Sequence, residues 1–334
     1  MADFSRVLCA IDLTEPSRRV LDCALWWARR HDADVSVLHV HRLAVPAPDT
    51  GSIHGDPGAT ATVPPVGEAP LEPEEHNAHQ REIERFVQDA RTDGLQIEVL
   101  LDEDASVADA IAARADALAA DLIVVGAGTD RTSEHPVLGR VTADLLRTAP
   151  CSVLVVPAPA ADVANPAFGG LNRLLCAVSL SDQSPHVLEC ASALAGESTA
   201  HLSIVHVVEL FSEVAALAYD FDAHREARIQ PACDDLVALV EAVVGRDRPV
   251  EEVVAQGTGC DEILKIAGEE SPDLIVVGRG SGRGARGVGR PTGQAVAREA
   301  RCPVLFVHSD RPAVSIEPQP SRVSATRGST DAAR

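Results

Sequence analysis

One lysine, one methionine, one tyrosine and two tryptophans stand among the 334 residues. With aromatics at 3%, the cores have to be built from Ala, Val, Leu and Ile, which a hydrophobic fraction of 46% supplies. Positive charge is scarce: 29 basic residues (Lys265 and otherwise Arg) face 50 acidic ones, for a formal net charge of -21. A general nucleic-acid binder needs cations to displace counterions from phosphates, so the charge balance argues against that class. A soluble, self-repelling protein is favoured instead. The eight cysteines contain no CxxC pair, which argues against a zinc site or a dithiol redox motif. They are read as small buried hydrophobes. No apolar run approaches the roughly 18 residues of a membrane span. The opening Met1–Arg6 does not read as a secretory leader, because the short apolar stretch after it contains Asp12. The expectation is a cytoplasmic protein with no membrane contact. The length suits two domains of about 150 residues.

What the chain does contain is itself, twice. Val7-Leu8-Cys9-Ala10-Ile11-Asp12-Leu13-Thr14, followed by Ser17, reappears at an offset of 167 as Leu174-Leu175-Cys176-Ala177-Val178-Ser179-Leu180-Ser181, followed by Ser184. The same offset carries Val37-Leu38-His39-Val40 onto Ile204-Val205-His206-Val207. At an offset of 152, Asp121 to Gly126 (Asp-Leu-Ile-Val-Val-Gly) recurs unchanged as Asp273 to Gly278. Gly139-Arg140-Val141-Thr142 is matched to Gly289-Arg290-Pro291-Thr292, and Ala149 to Leu154 to Ala300 to Leu305. The fall in offset places a longer connection in the first copy, at 42–72, rich in Pro, Gly, Ala and Thr and read as a mobile loop. The sequence divides into domain one (1–158), a linker (159–171), domain two (172–309) and a tail at 310–334 read as disordered.

Within each copy, apolar runs alternate with helical patterns. Strands are predicted at 6–12, 34–41, 96–101, 121–126 and 152–157, and at 173–179, 201–208, 250–255, 273–278 and 303–308. Helices are predicted at 16–30, 73–92, 106–118 and 140–149, and at 183–195, 211–245, 260–270 and 291–300. The runs at 121–126 and 273–278 are continuously apolar after the Asp, as central parallel strands covered on both faces require. The alternation means an α/β fold with open parallel sheets and right-handed crossovers. Such sheets take ligands at the carboxyl ends of their strands, where strand order reverses.

Five pieces of this pattern, in order and twice over, resemble the universal stress protein family. They are the first strand ending in an acid followed by x-Thr-x-x-Ser (Asp12, Thr14, Ser17), the Leu-His-Val of strand two (38–40), the Asp-Leu-Ile-Val-Val-Gly strand, the glycine loop and the closing Ala-x-Cys-x-Val-Leu strand. The resemblance implies two five-stranded, flavodoxin-like (adenine-nucleotide alpha-hydrolase-like) sheets in order 3-2-1-4-5. It also implies that they pack as an intrachain pseudo-dimer through their last strands. Members that bind ATP carry Gly-x2-Gly-x9-Gly-Ser/Thr after strand four. Small residues there let backbone N–H groups approach phosphate, and the following helix points its positive end at it. The acid ending strand one faces the adenosine end, and strand-two backbone recognises the base.

Carried onto this chain, the resemblance implies a copy-one site of Asp12, Val40, Gly126, Thr129, Gly139, Arg140 and Thr142. Thr129 stands where the second glycine is expected, and Arg140 where the pattern has Ser or Thr. In copy two it implies Val207, Gly278, Gly280, Ser281, Gly289, Arg290 and Thr292. There Ser179 replaces the acid, and the loop is rich in glycine and arginine, residues suited to forking onto phosphate. Copy one keeps the adenosine end and blurs the phosphate end; copy two does the reverse. A strand-end carboxylate that merely caps the next helix is the plainer reading of Asp12.

His39, His206 and His41 are read as packed strand histidines, and His76 with His79 as a solvated helix face. Cys260 is noted as a candidate thiol near a helix start. Trp26 and Trp27 are adjacent and cannot both face one stripe. No metal-ligand set and no Ser-His-Asp or paired-carboxylate arrangement is found. The expected function is therefore a non-enzymatic, nucleotide-responsive stress-regulatory protein binding ATP or another adenine nucleotide, with or without magnesium, and an unidentified protein partner. The alternative is a nucleotide-free interaction scaffold or holdase-like factor with both pockets closed by Arg140 and Arg290.

Overall fold

A computed structural model describes residues 4–44, 67–92, 95–128, 138–158, 170–209, 221–246, 248–279 and 292–308, with side chains at 90–92 and 221–228 excepted. The loop predicted at 42–72, apart from its two ends, most of the linker and the whole 310–334 tail lie outside the described residues.

Repeat one runs β1 (Arg6–Ile11), α1 (Ser17–His31), β2 (Asp34–Arg42), α2 (Pro73–Thr92), β3 (Ile97–Asp104), α3 (Val107–Ala117), β4 (Leu122–Gly126), α4 (Arg140–Thr148) and β5 (Ser152–Val156). Repeat two runs β6 (Arg173–Ala177), α5 (Ser184–Ser198), β7 (His201–Val208), α6 (Phe221–Val243), β8 (Glu251–Gln256), α7 (Gly259–Glu270), β9 (Leu274–Gly278), α8 (Thr292–Glu299) and β10 (Val304–Val307). The first ten residues of the helix predicted at 211–245 lie outside the described residues.

The strands form one ten-stranded sheet in the order β3-β2-β1-β4-β5-β10-β9-β6-β7-β8. Each repeat thus contributes a parallel 3-2-1-4-5 half. The halves join where β5 and β10 pair antiparallel, Val304 opposite Val155, Leu305 opposite Leu154 and Phe306 opposite Val153. Leu154 and Leu305 are equivalent positions, so the pseudo-twofold axis passes between them. A continuous sheet leaves no unpaired edge at the join.

Period-two alternation sorts the strand side chains onto two faces. Val7, Cys9, Val35, Val37, Leu122 and Val124, with their repeat-two counterparts, pack under α1, α2, α5 and α6. Leu8, Ala10, Leu38, Ile123, Val125 and Val153 pack under α3, α4, α7 and α8. Each fully buried Val, Leu or Ile contributes roughly 1.5–3 kcal/mol relative to exposure. The acid that opens each Asp-Leu-Ile-Val-Val-Gly strand is structural: Asp121 Oδ2 accepts from Ser5 Oγ (2.8 Å) and Arg6 N (3.0 Å), and Asp273 Oδ2 from Asn172 N (2.7 Å) and Arg173 N (3.0 Å).

Across the join, α1 and α5 bring equivalent positions together with opposite charge. Arg30 donates to the Glu197 carbonyl and to Ser198 Oγ (3.5 Å), and His31 Nδ1 lies 3.8 Å from Glu197 Oε2. His31 stacks on Trp27 at 5.2 Å, with Phe4 edge-on to both. Trp27 is fully buried, while Trp26 is only half-buried. On the other face, Arg279 of repeat two donates to the Ala149 carbonyl of repeat one.

Candidate functional site

Strand order reverses at β1: the chain leaves it toward β2 on one side and returns as β4 on the other. The turns after β1 and β4 therefore flank a crevice, the usual ligand position of such sheets. Asp12 opens the first turn. Its Oδ1 accepts from Thr14 Oγ1 (2.5 Å), Ser17 Oγ (2.5 Å) and Thr14 N (3.1 Å), and its own N–H donates to Ser17 Oγ (3.2 Å). These bonds draw the chain into a tight corner in which Leu13 has φ 60°. A branched residue pays steric strain in that left-handed region. Leu180 repeats it with φ 53°.

Burial raises the Asp12 carboxyl, but the Ser17 and Thr14 hydrogen bonds outweigh it and hold the group below its usual range. Asp12 is thus a fixed anion whose second oxygen, Oδ2, takes part in none of these bonds. It braces the turn with one oxygen but does not cap the helix as the plainer reading had it, since the N-cap of α1 is Pro16, with no side-chain cap. In repeat two the corner is rebuilt without charge: Ser179 Oγ lies 2.9 Å from Ser181 Oγ, and Ser181 N donates to Ser184 Oγ (3.0 Å).

β2 outruns β1. The last β1 residue, Ile11, stands opposite His39; Val40, His41 and Arg42 continue along β3, and the Arg42 carbonyl also accepts from Glu68 N (2.9 Å). The stretch at Val40 therefore borders the crevice, with the Val40 side chain buried on the α3 and α4 face. His39 ties the strands together by donating Nδ1 to the Ile11 carbonyl (2.9 Å), and His206 does the same to Val178 (2.9 Å). Both are packed strand histidines, as expected.

The second turn begins at Gly126, whose Cβ, if it had one, would sit 3.4 Å from Val20. The tighter constraint falls on a residue the sequence reading passed over. Gly128 has φ +78°, and a Cβ there would lie 2.6 Å from Gly139 Cα. Gly139 N donates to the Ala127 carbonyl (2.7 Å), so the two ends of segment 129–137 are pinched backbone to backbone at the start of α4. The signal was a second glycine two residues after the first, displaced by one from the motif position at Thr129. Thr129 itself lies outside the described residues.

Thr142 is 2% exposed and donates Oγ1 to the Gly126 carbonyl (2.7 Å). It locks α4 to the end of β4, and that bond engages its hydroxyl proton. Arg140 is a surface cation: its side chain is 85% exposed and sits 3.6 Å from Asp144. It does not fill the crevice.

In repeat two, Gly278 ends β9 with Val187 3.1 Å from its virtual Cβ, and Val207 pairs with Ala255. Gly280, Ser281, Gly289 and Arg290 lie outside the described residues. Thr292 is the first residue of α8, while Ala149–Leu154 and Ala300–Leu305 match at an offset of 151. Counting back along the helix makes Gly293 the counterpart of Thr142, and its virtual Cβ would meet Phe306 at 2.9 Å. Thr292 therefore belongs one position earlier than the motif match placed it. Cys260 is not an activated thiol, because burial and then Glu299 and Asp261 raise it. His79 is not on a solvated face: its ring lies 6.2 Å from His39 and 5.8 Å from His41.

The sequence model of the universal stress protein family matches residues 3–157 and 170–308. Universal stress protein YxiE of Bacillus subtilis is 31% identical over 148 residues, 41% of this chain and 98% of that protein. A solved universal stress protein from Archaeoglobus fulgidus is similar over 92% of this chain and 97% of its own, with a TM-score of 0.61 at 19% identity. A functionally unknown protein from Pseudomonas aeruginosa PAO1 gives 92%, 94%, 0.61 and 18%. At such identities the structural likeness speaks for the fold.

Proposed function

The chain belongs to the universal stress protein family, matched once by each repeat, and we propose that it is a non-enzymatic, nucleotide-responsive regulator whose repeat one binds an adenine nucleotide. The observation that carries this reading is Asp12. A carboxylate held ionised by hydroxyls on one oxygen, at the strand-order reversal, keeps the other for a ligand hydroxyl. The outrunning β2 at Val40 borders the same crevice, where unpaired backbone suits the edge of a base. The Gly128–Gly139 pinch and the start of α4 lie opposite, with Arg140 on the surface as a charge within the same turn. Magnesium bound with the nucleotide would offset phosphate charge, and among the described residues no cluster of acids is arranged to hold it. Repeat two replaces that acid with a serine pair, so its role is to complete the sheet and its contacts rather than to duplicate the site. Binding in repeat one would alter the surface shown to a partner. A cytoplasmic location fits the reading.

The scaffold reading requires Arg140 to close the repeat-one pocket, and its outward, Asp144-paired side chain speaks against that. The test is calorimetric titration of the whole chain with ATP, with and without magnesium. One site per chain supports the proposal; no heat at millimolar ATP refutes it.

A further inference from the structure

The first half of α2 is held to the sheet by imidazoles rather than by apolar side chains. None of the residues 73–82 is buried, and the first buried residue of the helix is Ile83. Yet His79 lies face to face with His39 (6.2 Å, 7° between planes) and edge-on to His41 (5.8 Å, 66°). Each ring gives one nitrogen to a carbonyl: His39 Nδ1 to Ile11 (2.9 Å), His41 Nε2 to Ala69 (2.9 Å) and His79 Nδ1 to Glu75 (3.1 Å). A carbonyl only accepts, so each of those nitrogens carries the proton and the other is a bare lone pair in the neutral ring. Among the described residues no group of three or more His, Cys, Asp or Glu is arranged to hold a metal. β7 keeps His206 at the position of His39 but has Val208 at that of His41. Pairing the second strand to the first therefore needs one histidine, and His41 and His79 are additions of repeat one.

We propose that this three-histidine stack is a proton-sensitive latch that docks the first half of α2 on β2 at neutral pH and releases it on acidification. Neutral imidazoles stack; two imidazolium rings at this separation in a half-buried site repel. The charged groups around the stack divide in two. Glu68 lies 3.7 Å from His41 Nδ1 and Glu103 lies 3.7 Å from His76 Nδ1, both at the outer side of the stack. Between His39 and His79 no carboxylate intervenes; Asp12 is the acid that acts on His39 from the β1 side. Burial first, then His79 and His41, hold His39 below the usual imidazole range against the opposing pull of the Ile11 carbonyl and Asp12. At His39 the undocked state therefore takes up a proton more readily than the docked one. Docking is fully present above the ordinary imidazole value of about 6.5 and is lost as pH falls through the lowered one.

The test is hydrogen exchange by mass spectrometry on the whole chain between pH 7.5 and 5, corrected for intrinsic exchange. Residues 73–82 should lose protection by about tenfold per pH unit for each proton taken up below about pH 6.5. Helix α5 serves as the internal reference and should hold its protection. His79→Gln, neutral and helix-compatible, should abolish the pH dependence in 73–82. Protection of 73–82 that stays constant relative to α5, or a pH dependence that survives in His79→Gln, overturns the latch. Loss of protection in α5 as well would mean general acid unfolding and also overturns it.

Discussion

Replacing Gly128 by alanine forces a methyl group into a backbone contact. The new Cβ would stand 2.6 Å from Gly139 Cα, where ordinary contact begins near 3.4 Å. The φ of +78° adds the left-handed penalty of an L-residue, about 1–2 kcal/mol. Relieving the clash means parting the two strands of the pinch by close to an ångström and losing the Gly139 N–H bond to Ala127. The lost bond adds about 1 kcal/mol, and the total comes to roughly 2–3 kcal/mol. Gly126→Ala is the control, because its Cβ meets Val20 Cγ2 at 3.4 Å and Gly128 N at 3.9 Å, both ordinary contacts, with no positive φ; it should cost under about 1 kcal/mol. Urea unfolding of both variants measures the difference, and calorimetry with ATP should show Gly128→Ala binding more weakly than Gly126→Ala. Equal stabilities would show that the pinch is not a constraint, and the motif glycine would revert to the Thr129 position.

Three further outcomes follow from the packing. Thr142→Val removes the buried donor to the Gly126 carbonyl and should lower stability by about 1–2 kcal/mol in urea unfolding. Glu197→Lys brings a cation to Arg30 and His31 at the join, so its midpoint should fall, and Arg30→Glu in the same chain should recover part of the loss with a coupling of about 1 kcal/mol. Native thiol alkylation at pH 8 should spare Cys9, Cys23 and Cys176, whose burial raises them, Cys23 to about 12; unfolding in denaturant should expose all eight.

The fold was legible because its information is local and doubled. After its opening Asp, Leu-Ile-Val-Val-Gly has no polar side chain to offer solvent, so it had to be a central strand, and its two copies marked two halves of one sheet. Helix α2 was bounded correctly at 73–92 by Pro73 and the acids after it. The site was half legible. Asp12, Thr14 and Ser17 lie within six residues, and their mutual bonds follow from that spacing. Gly128 escaped because its role is a contact with Gly139, eleven residues away, which no motif spacing encodes. Thr292 was matched one residue out because an insertion in the intervening loop leaves only the helix to fix the register. His79 read as a solvated helix residue because a stripe of imidazoles carries no hydrophobic period; its burial comes from the two histidines that β2 places beneath it.

The central claim is that the repeat-one carboxylate holds the ligand, and Asp12→Asn tests it most directly. The amide keeps an oxygen for Thr14 and Ser17, so the turn survives while the charge is lost. Calorimetric titration with ATP should then show affinity falling about tenfold or more, the size of a lost charged hydrogen bond, while Ser179→Ala in repeat two leaves it unchanged. Unaltered affinity in Asp12→Asn, or an equal loss in Ser179→Ala, would contradict the assignment of the site to repeat one.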